Sequence, residues 1–252
     1  MSNQHQAVCK EVSDLIRNSD FERAATLLQK YKPIRDQFIT RAFYLLYSDT
    51  RSPYYSEDEA RNSLDFLEKS KDLWGIIEKG RCLLEGLLYD KDTFAAEDLF
   101  CSASRLNPKK GAEKAKFYLG LIYANGLHTP GDDSTSDVEQ AKKMFTEIIA
   151  SNSVFKERAR EEYCKVLMSS NVIDESEEAE LFSHLTTLLR NDSHRTAKLY
   201  STFMLAALTK LGDIVYNEEK APTGMTEKAE FDSDYNQLRN AVSSLRKVLP
   251  HV

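Results

Sequence analysis

The amino-acid sequence predicts an all-α fold, a helical-hairpin solenoid of about six antiparallel helix pairs with a C-terminal capping helix. The first observation behind this prediction is a repeated pattern. An alanine recurs with a helix-capping residue four positions before it and apolar residues four and seven positions after it in each copy. Positions 0, +4 and +7 share one face of an α-helix, so each copy predicts a helix whose apolar stripe begins at a small residue. The alanines are Ala24, Ala60, Ala96 and Ala141.

The spacing of these alanines is the second observation. The first two intervals are 36 residues and the third is 45, and a nine-residue loop over 128–136 is interpreted as the difference. A unit of this size is one helix pair, which cannot bury its apolar face alone and therefore predicts stacked neighbours. We interpret the loop as a tolerated insertion, because lengthening a surface loop costs little free energy. The alternative is a loop that has evolved for binding.

The distribution of helix-breaking and capping residues is the third observation. The chain has only nine Gly and six Pro, and most of the prolines lie between the predicted helices. Ser-x-x-Glu capping boxes begin at Ser19, Ser56 and Ser136. The predicted capping residues before the four alanines are Asp20, Ser56, Asp92 and Asp137. The predicted helices cover 3–18, 20–31, 34–48, 57–70, 73–89, 93–106, 112–126, 137–151, 154–170, 175–190, 194–216 and 226–249.

The hairpin at 115–141 has the most complete pattern in the chain. Its pattern residues are Leu119, Gly120, Tyr123, Gly126, Asp137, Ala141 and Phe145. This pattern resembles the Sel1-like repeat, a relative of the tetratricopeptide repeat. The resemblance implies that Gly120 and Ala141 are the positions where the paired helices approach most closely. The preceding hairpin is matched through Gly86, Tyr89, Asp92, Ala96 and Phe100, so Gly86 is expected to correspond to Gly120.

The repeat register weakens after Asn152, which predicts two regions. Residues 1–152 are interpreted as Sel1/tetratricopeptide-like repeats, and residues 153–252 as degenerate repeats and C-terminal capping helices of the same solenoid. A predicted helix over 198–211 is apolar almost all round and must be covered by another element. The helix over 226–249 has a heptad-like apolar seam, which fits an intramolecular cap and would equally serve a homodimer.

Composition and charge restrict the partners and the compartment. A net charge of −6 argues against general nucleic-acid binding, which requires clustered Lys and Arg. The local basic cluster of Lys109, Lys110, Lys114 and Lys116 fits a solvated helix entrance better than an anion site. No apolar run approaches the ~20 residues of a membrane span. Four scattered cysteines without a C-x-x-C pair indicate neither a disulfide framework nor a zinc site, so we expect a cytoplasmic protein.

The sequence contains no recognisable catalytic motif. It has no P-loop, no dinucleotide-binding glycine pattern, no zinc-protease helix and no nucleophile elbow. His184 lies among leucines of a predicted helix and is interpreted as a packed side chain rather than a metal ligand. We therefore expect no catalytic residues, no metal and no cofactor, and we interpret the protein as a non-enzyme.

The first helices of such hairpins line the concave face of a solenoid, where partner proteins or peptides bind. The residues we expect at this contact are Tyr44, Arg81, Glu85, Lys116 and Tyr118. Tyr and Arg are enriched in protein interfaces, whereas regularly spaced tyrosines are also typical of packing inside a repeat. The sequence therefore favours a protein–protein interaction scaffold or adaptor. The alternative is a peptide-sensing regulator or a chaperone of a secreted client.

Overall fold

The computed structural model describes residues 2–32, 34–106, 112–127, 137–169 and 175–190. Every regular element in these ranges is an α-helix, which confirms the all-α prediction. The helices are α1 (Ser2–Arg17), α2 (Phe21–Gln29), α3 (Gln37–Ser48), α4 (Glu57–Lys69), α5 (Leu73–Glu85), α6 (Thr93–Leu106), α7 (Ala112–Ala124), α8 (Asp137–Ala150), α9 (Lys156–Ser169) and α10 (Glu175–Arg190).

Each helix packs against the next one along the chain from α1 to α10. Odd-numbered helices also meet one another directly, since α1 contacts α3, α5 contacts α7, and α7 contacts α9. Side chains join α3 to α5 as well, because the rings of Tyr44 and Trp74 meet edge to face with centroids 5.5 Å apart. The odd-numbered helices therefore form a continuous series of neighbours.

The chain divides into two compact units, residues 1–196 and 197–252, and all described residues lie in the first. The boundary predicted at residue 152 stays a prediction. The predicted capping and dimer helix at 226–249 and the apolar helix at 198–211 lie outside the described residues. No described helix is both long enough and apolar enough to cross a membrane.

The repeated alanine pattern defines the buried face of the even-numbered helices. All four alanines are fully buried, as is the residue four positions after each of them. Those residues are Leu28, Leu64, Phe100 and Phe145. At +7, Leu67, Ala103 and Ile148 are buried as well, whereas Tyr31 in the first copy is partly exposed. The predicted stripe is therefore confirmed in all four copies up to the +4 position.

Two helix glycines allow an aromatic ring of the paired helix to approach closely. A Cβ atom at Gly120 would lie 2.7 Å from Cε1 of Phe145, and a Cβ atom at Gly80 would lie 2.8 Å from Cε1 of Phe100. Gly80 therefore corresponds to Gly120, and the expected correspondence of Gly86 with Gly120 is wrong. Gly86 instead ends α5 in the left-handed conformation with φ +71°, as Gly126 does after α7 with φ +61°.

With Gly80 equivalent to Gly120, part of the nine-residue insertion predicted at 128–136 must lie earlier in the sequence. Gly80 and Gly120 are 40 residues apart, whereas the capping residues Asp36 and Asp72 of α3 and α5 are 36 apart. Four of the nine extra residues therefore precede α7, and the loop over 128–136 contributes five rather than nine. The insertion is divided between the two connections that flank α7.

Three of the four predicted capping residues act as predicted. Asp20 accepts a hydrogen bond from the backbone N–H of Arg23, and Ser56 and Asp92 do the same for the residues three positions on. Asp137 is the first described residue of α8; Ser136, where the third capping box is expected to begin, lies outside the described residues, so the cap of this helix stays a prediction. The capping box expected to begin at Ser19 is wrong, because Ser19 has φ +61° and Asp20 is the cap.

Candidate functional site

A buried carboxylate on α5 connects three successive odd-numbered helices. The side chain of Glu78 is 11% exposed. Its Oε1 accepts hydrogen bonds from Tyr44 Oη on α3 at 3.2 Å and from Nε and Nη2 of Arg81 at 3.1 and 2.6 Å. Its Oε2 accepts a hydrogen bond from Lys114 Nζ on α7 at 3.4 Å. A single carboxylate therefore ties α3, α5 and α7 together.

The protonation states of this cluster are fixed by its own charges. Burial by itself raises the pKa of Glu78, but the hydrogen bonds from Arg81 and the charges of Arg81 and Lys114 outweigh it and hold the pKa below its ordinary value. Burial, followed by the negative charge of Glu78, raises the pKa of Tyr44. At neutral pH Glu78 is therefore ionised and Tyr44 keeps the proton that it donates.

The cluster reaches the surface through Arg81, Glu85 and Lys114. Their side chains are 26%, 44% and 27% exposed. Arg81 is held on two sides, because its Nη1 donates to Glu85 Oε2 at 2.6 Å while its other nitrogens donate to Glu78. A guanidinium fixed in this way presents its remaining N–H donors in a set direction.

Tyr118 continues the cluster toward α9. Its ring stacks on Phe100 with centroids 4.9 Å apart, and burial raises its pKa. Arg81 and Arg158 both lie close enough for their charges to act on the Tyr118 hydroxyl. The guanidinium of Arg158 lies over the ring of Phe117, 5.0 Å from its centroid. We call Glu78, Arg81, Glu85, Lys114, Tyr118 and Arg158 the polar row; it extends over α5, α7 and α9.

The structure places the five predicted contact residues in different environments. Tyr44 and Tyr118 are only 3% and 7% exposed, which corrects the expectation that they offer surface to a partner. Both rings are taken up by aromatic packing, Tyr44 against Trp74 and Tyr118 against Phe100. Arg81 and Glu85 lie together in the partly exposed part of the row.

Lys116 lies outside the polar row. Its Nζ pairs with Glu147 on α8, so its side chain is directed to the even-numbered neighbour. Lys114, two residues earlier, reaches Glu78 on α5 instead. Lys114 and Lys116 therefore both have carboxylate partners within the protein, whereas Lys109 and Lys110 of the predicted solvated cluster lie outside the described residues.

Sequence reasoning missed Glu78, Lys114 and Arg158. A signal for Glu78 exists in the sequence, since an acid directly after Ile76 and Ile77 in an apolar helix predicts a buried charge that requires a cation. Its partners cannot be selected from the sequence, because α7 begins with two lysines on different faces. Arg158 has no distinguishing feature in the sequence.

A second buried ion pair lies one junction earlier. Asp72 is 3% exposed and caps α5 by accepting a hydrogen bond from the backbone N–H of Gly75 at 2.8 Å. Arg41 on α3 donates to Asp72 Oδ1 through Nε at 3.0 Å and also pairs with Oδ2. The Arg41 guanidinium is 5.6 Å from the centroid of the Trp74 ring. This pair fixes the start of α5 against α3.

Within the described ranges, no group of three or more His, Cys, Asp or Glu is arranged to hold a metal ion. His184 packs edge to face against Tyr163, with ring centroids 5.4 Å apart, and burial lowers its pKa. Cys164 is buried, which raises its pKa to about 12. These groups are packing residues in the structure.

The chain was compared with known proteins at three levels. No protein-family model matches it, and neither the curated proteins nor the solved structures contain a significant match.

Proposed function

We propose that the chain is a helical-hairpin solenoid of the Sel1/tetratricopeptide-like kind. In this proposal it is a non-catalytic scaffold or adaptor in the cytoplasm that binds a partner protein or peptide on the face formed by its odd-numbered helices. The polar row is the observation that supports this best. Its partly or fully exposed charged groups, Arg81, Glu85, Lys114 and Arg158, lie on three successive odd-numbered helices, and its buried members Glu78 and Tyr118 lie beneath them.

Extended partners suit such a surface. Each odd-numbered helix contributes one or two groups, so a partner crossing the helices meets Glu85 and Arg81 on α5, then Lys114 on α7, then Arg158 on α9. The hydrogen bonds of Arg81 to Glu78 and Glu85 hold its side chain before a partner arrives, which lowers the entropy lost on binding. Glu78 and Tyr44 contribute by positioning these groups rather than by contact.

The pKa directions in the row favour binding over catalysis. A general acid or base works best with a pKa near the operating pH. Here the pKa of Glu78 is lowered and the pKa values of Tyr44 and Arg81 are raised, so each group keeps its ordinary protonation state at neutral pH. A set of groups with fixed charges suits recognition of a partner's charged and polar side chains.

Site-specific photocrosslinking in cells of the source organism tests the proposal. Glu85 would be replaced by p-benzoylphenylalanine, with Glu57 on the even-numbered helix α4 as the matched control. Both side chains are partly exposed, at 44% and 51%, and each pairs with an arginine four residues away. We expect discrete protein adducts from position 85 that are missing from position 57. The same adducts from both positions, or none from position 85, would refute the proposed binding face.

A further inference from the structure

Corresponding residues of α5, α7 and α9 contact the preceding odd-numbered helix in different ways. Trp74, Lys114 and Arg158 each stand directly before a buried small residue, which is Gly75, Ala115 or Ala159. The spacings are 40 and 44 residues, and the first equals the spacing of Gly80 and Gly120. The three side chains therefore occupy the same place in successive hairpins.

Each of these side chains has a different kind of partner on the preceding odd-numbered helix. Trp74 packs on Tyr44, Lys114 pairs with Glu78, and Arg158 lies over Phe117. Glu78, counted on by the same 40 residues, corresponds to Tyr118, which is buried and uncharged at neutral pH. At the place on α7 where Arg158 would need a carboxylate there is thus Tyr118, whereas Lys114, the residue equivalent to Arg158, meets Glu78 on α5.

The Arg158 guanidinium consequently forms no ion pair with a described carboxylate. It is exposed, and it has no carboxylate partner among the described residues. The other two cations of the polar row are engaged, since Arg81 pairs with Glu78 and Glu85, and Lys114 pairs with Glu78. The Phe117 ring supports the guanidinium from below and leaves its edge donors available for a carboxylate.

The charge of the whole chain bears on which ligand Arg158 can bind. With a net charge of −6, the protein as a whole repels acidic molecules, so an acidic ligand needs a local cation that no neighbouring carboxylate neutralises, and Arg158 is such a cation on the odd-helix face. Building on the proposed function, we propose that the partner presents an acidic protein segment to the odd-helix face, with one of its carboxylates on Arg158. A basic segment is disfavoured at this place, because it would meet the guanidinium directly.

Fluorescence anisotropy with the full chain tests this proposal. The probe is a labelled, C-terminally amidated dodecapeptide of alternating Glu and Ala, compared with the Gln/Ala and Lys/Ala versions. The variants are Arg158→Glu and Lys143→Glu; Lys143 is exposed on α8, so both substitutions change the net charge equally. We expect the wild-type protein to prefer the Glu/Ala peptide at low salt. Arg158→Glu should weaken that binding about tenfold or more, the loss of a charge-assisted hydrogen bond.

Lys143→Glu should leave the affinity for the Glu/Ala peptide within about threefold, since only the long-range field changes. Arg158→Glu should also bind the Lys/Ala peptide more tightly than wild type does, a gain that misfolding would not produce. Equal weakening by the two variants, or no preference of the wild type for Glu/Ala over Gln/Ala, would overturn the proposal. If crosslinking from position 85 still succeeded in that case, the scaffold function would stand and only the acidic chemistry of the partner would be refuted.

Discussion

Gly120→Ala is the substitution that tests the hairpin packing most directly. The added Cβ would lie 2.7, 2.9 and 3.1 Å from three atoms of the Phe145 ring, whereas ordinary contacts are 3.4 to 4 Å. Phe145 is fully buried and its ring also contacts Phe117, with centroids 6.0 Å apart, so a shift of the ring would disturb this second contact. The ring or the backbone must shift.

Two opposing contributions decide how Gly120→Ala changes the free energy of unfolding. Replacing Gly by Ala inside a helix stabilises by about 1 kcal/mol through backbone entropy. Overpacking a tight core costs about 1–3 kcal/mol. Gly120→Ala should therefore lower the unfolding free energy by about 0–2 kcal/mol, instead of raising it as at an open helix position.

A double-mutant cycle with Phe145→Leu isolates the contact. The free energy of unfolding of each variant would be measured by urea unfolding followed by circular dichroism. Gly120→Ala should be better tolerated in the Phe145→Leu background than in the wild-type background, because the leucine side chain is smaller than the ring. The expected coupling is about 1 kcal/mol.

The same cycle at Gly80 and Phe100 should give a similar coupling, because a Cβ at Gly80 meets Phe100 at 2.8 Å. The mixed pair of Gly80→Ala with Phe145→Leu is the control and should be additive within about 0.5 kcal/mol. If Gly120→Ala stabilised the protein and the cycle showed no coupling, the assigned contact between α7 and α8 would be wrong.

Three further predictions concern the ion pairs and the C-terminal region. Glu78 has a folded pKa below its ordinary value of 4.5, so its carboxylate stabilises the fold above that pH and this stabilisation is lost as the pH falls through the folded pKa. Glu78→Gln should therefore lose less stability than wild type between pH 7 and pH 3 in thermal unfolding; an equal loss would contradict the assignment. Asp72→Ala should cost about 3 kcal/mol in urea unfolding, because it removes a cap and leaves Arg41 partly buried without its partner, whereas Asp92→Ala removes an exposed cap and should cost about 1 kcal/mol. Truncation after Pro222 should cause aggregation, measured by light scattering, because the sequence predicts that the last helix covers the apolar stretch 198–211; a soluble truncated chain would refute the cap.

The even-numbered helices could be predicted well because each has one buried face. In α4, for example, the buried residues Ala60, Leu64 and Leu67 are spaced four and three positions apart, so the helical period appears directly in the sequence. A capping residue such as Ser56 then fixes where the helix begins. Both signals are local, and a local signal needs no knowledge of the partner helix.

The odd-numbered helix α7 gives a weaker signal because it is buried on more than one side. Phe117, Tyr118, Leu119 and Gly120 of α7 are consecutive and all buried, so no polar face marks the register. This is why the sequence pattern aligns Gly86 with Gly120 although Gly80 holds the equivalent place. Which glycine faces a ring depends on the paired helix, and that information is not local.

The candidate site was harder to predict because it depends on pairs between helices. Arg81 and Glu85 are four residues apart on one helix, so their contact follows from the helical period. The contact between Glu78 and Lys114 joins residues 36 positions apart and depends on the register between α5 and α7. An error of two positions exchanges Lys114 for Lys116, which pairs with a different helix.

The buried charges also help to explain why hairpins of similar sequence pack in one order rather than another. Taking Glu78 out of water costs free energy, so the cluster is weak grounds for high stability. Its stronger effect is to disfavour other packing orders of the helices. The three junctions between odd-numbered helices use three different contacts, at Trp74, Lys114 and Arg158. If α5 packed against another helix in place of α7, Glu78 would keep Arg81 on its own helix but lose Lys114, and a buried charge is destabilised when it loses a partner. Apolar contacts at every junction would allow such exchanges at little cost, so the ionic contacts Arg41–Asp72 and Glu78–Lys114 favour the native order of α3, α5 and α7.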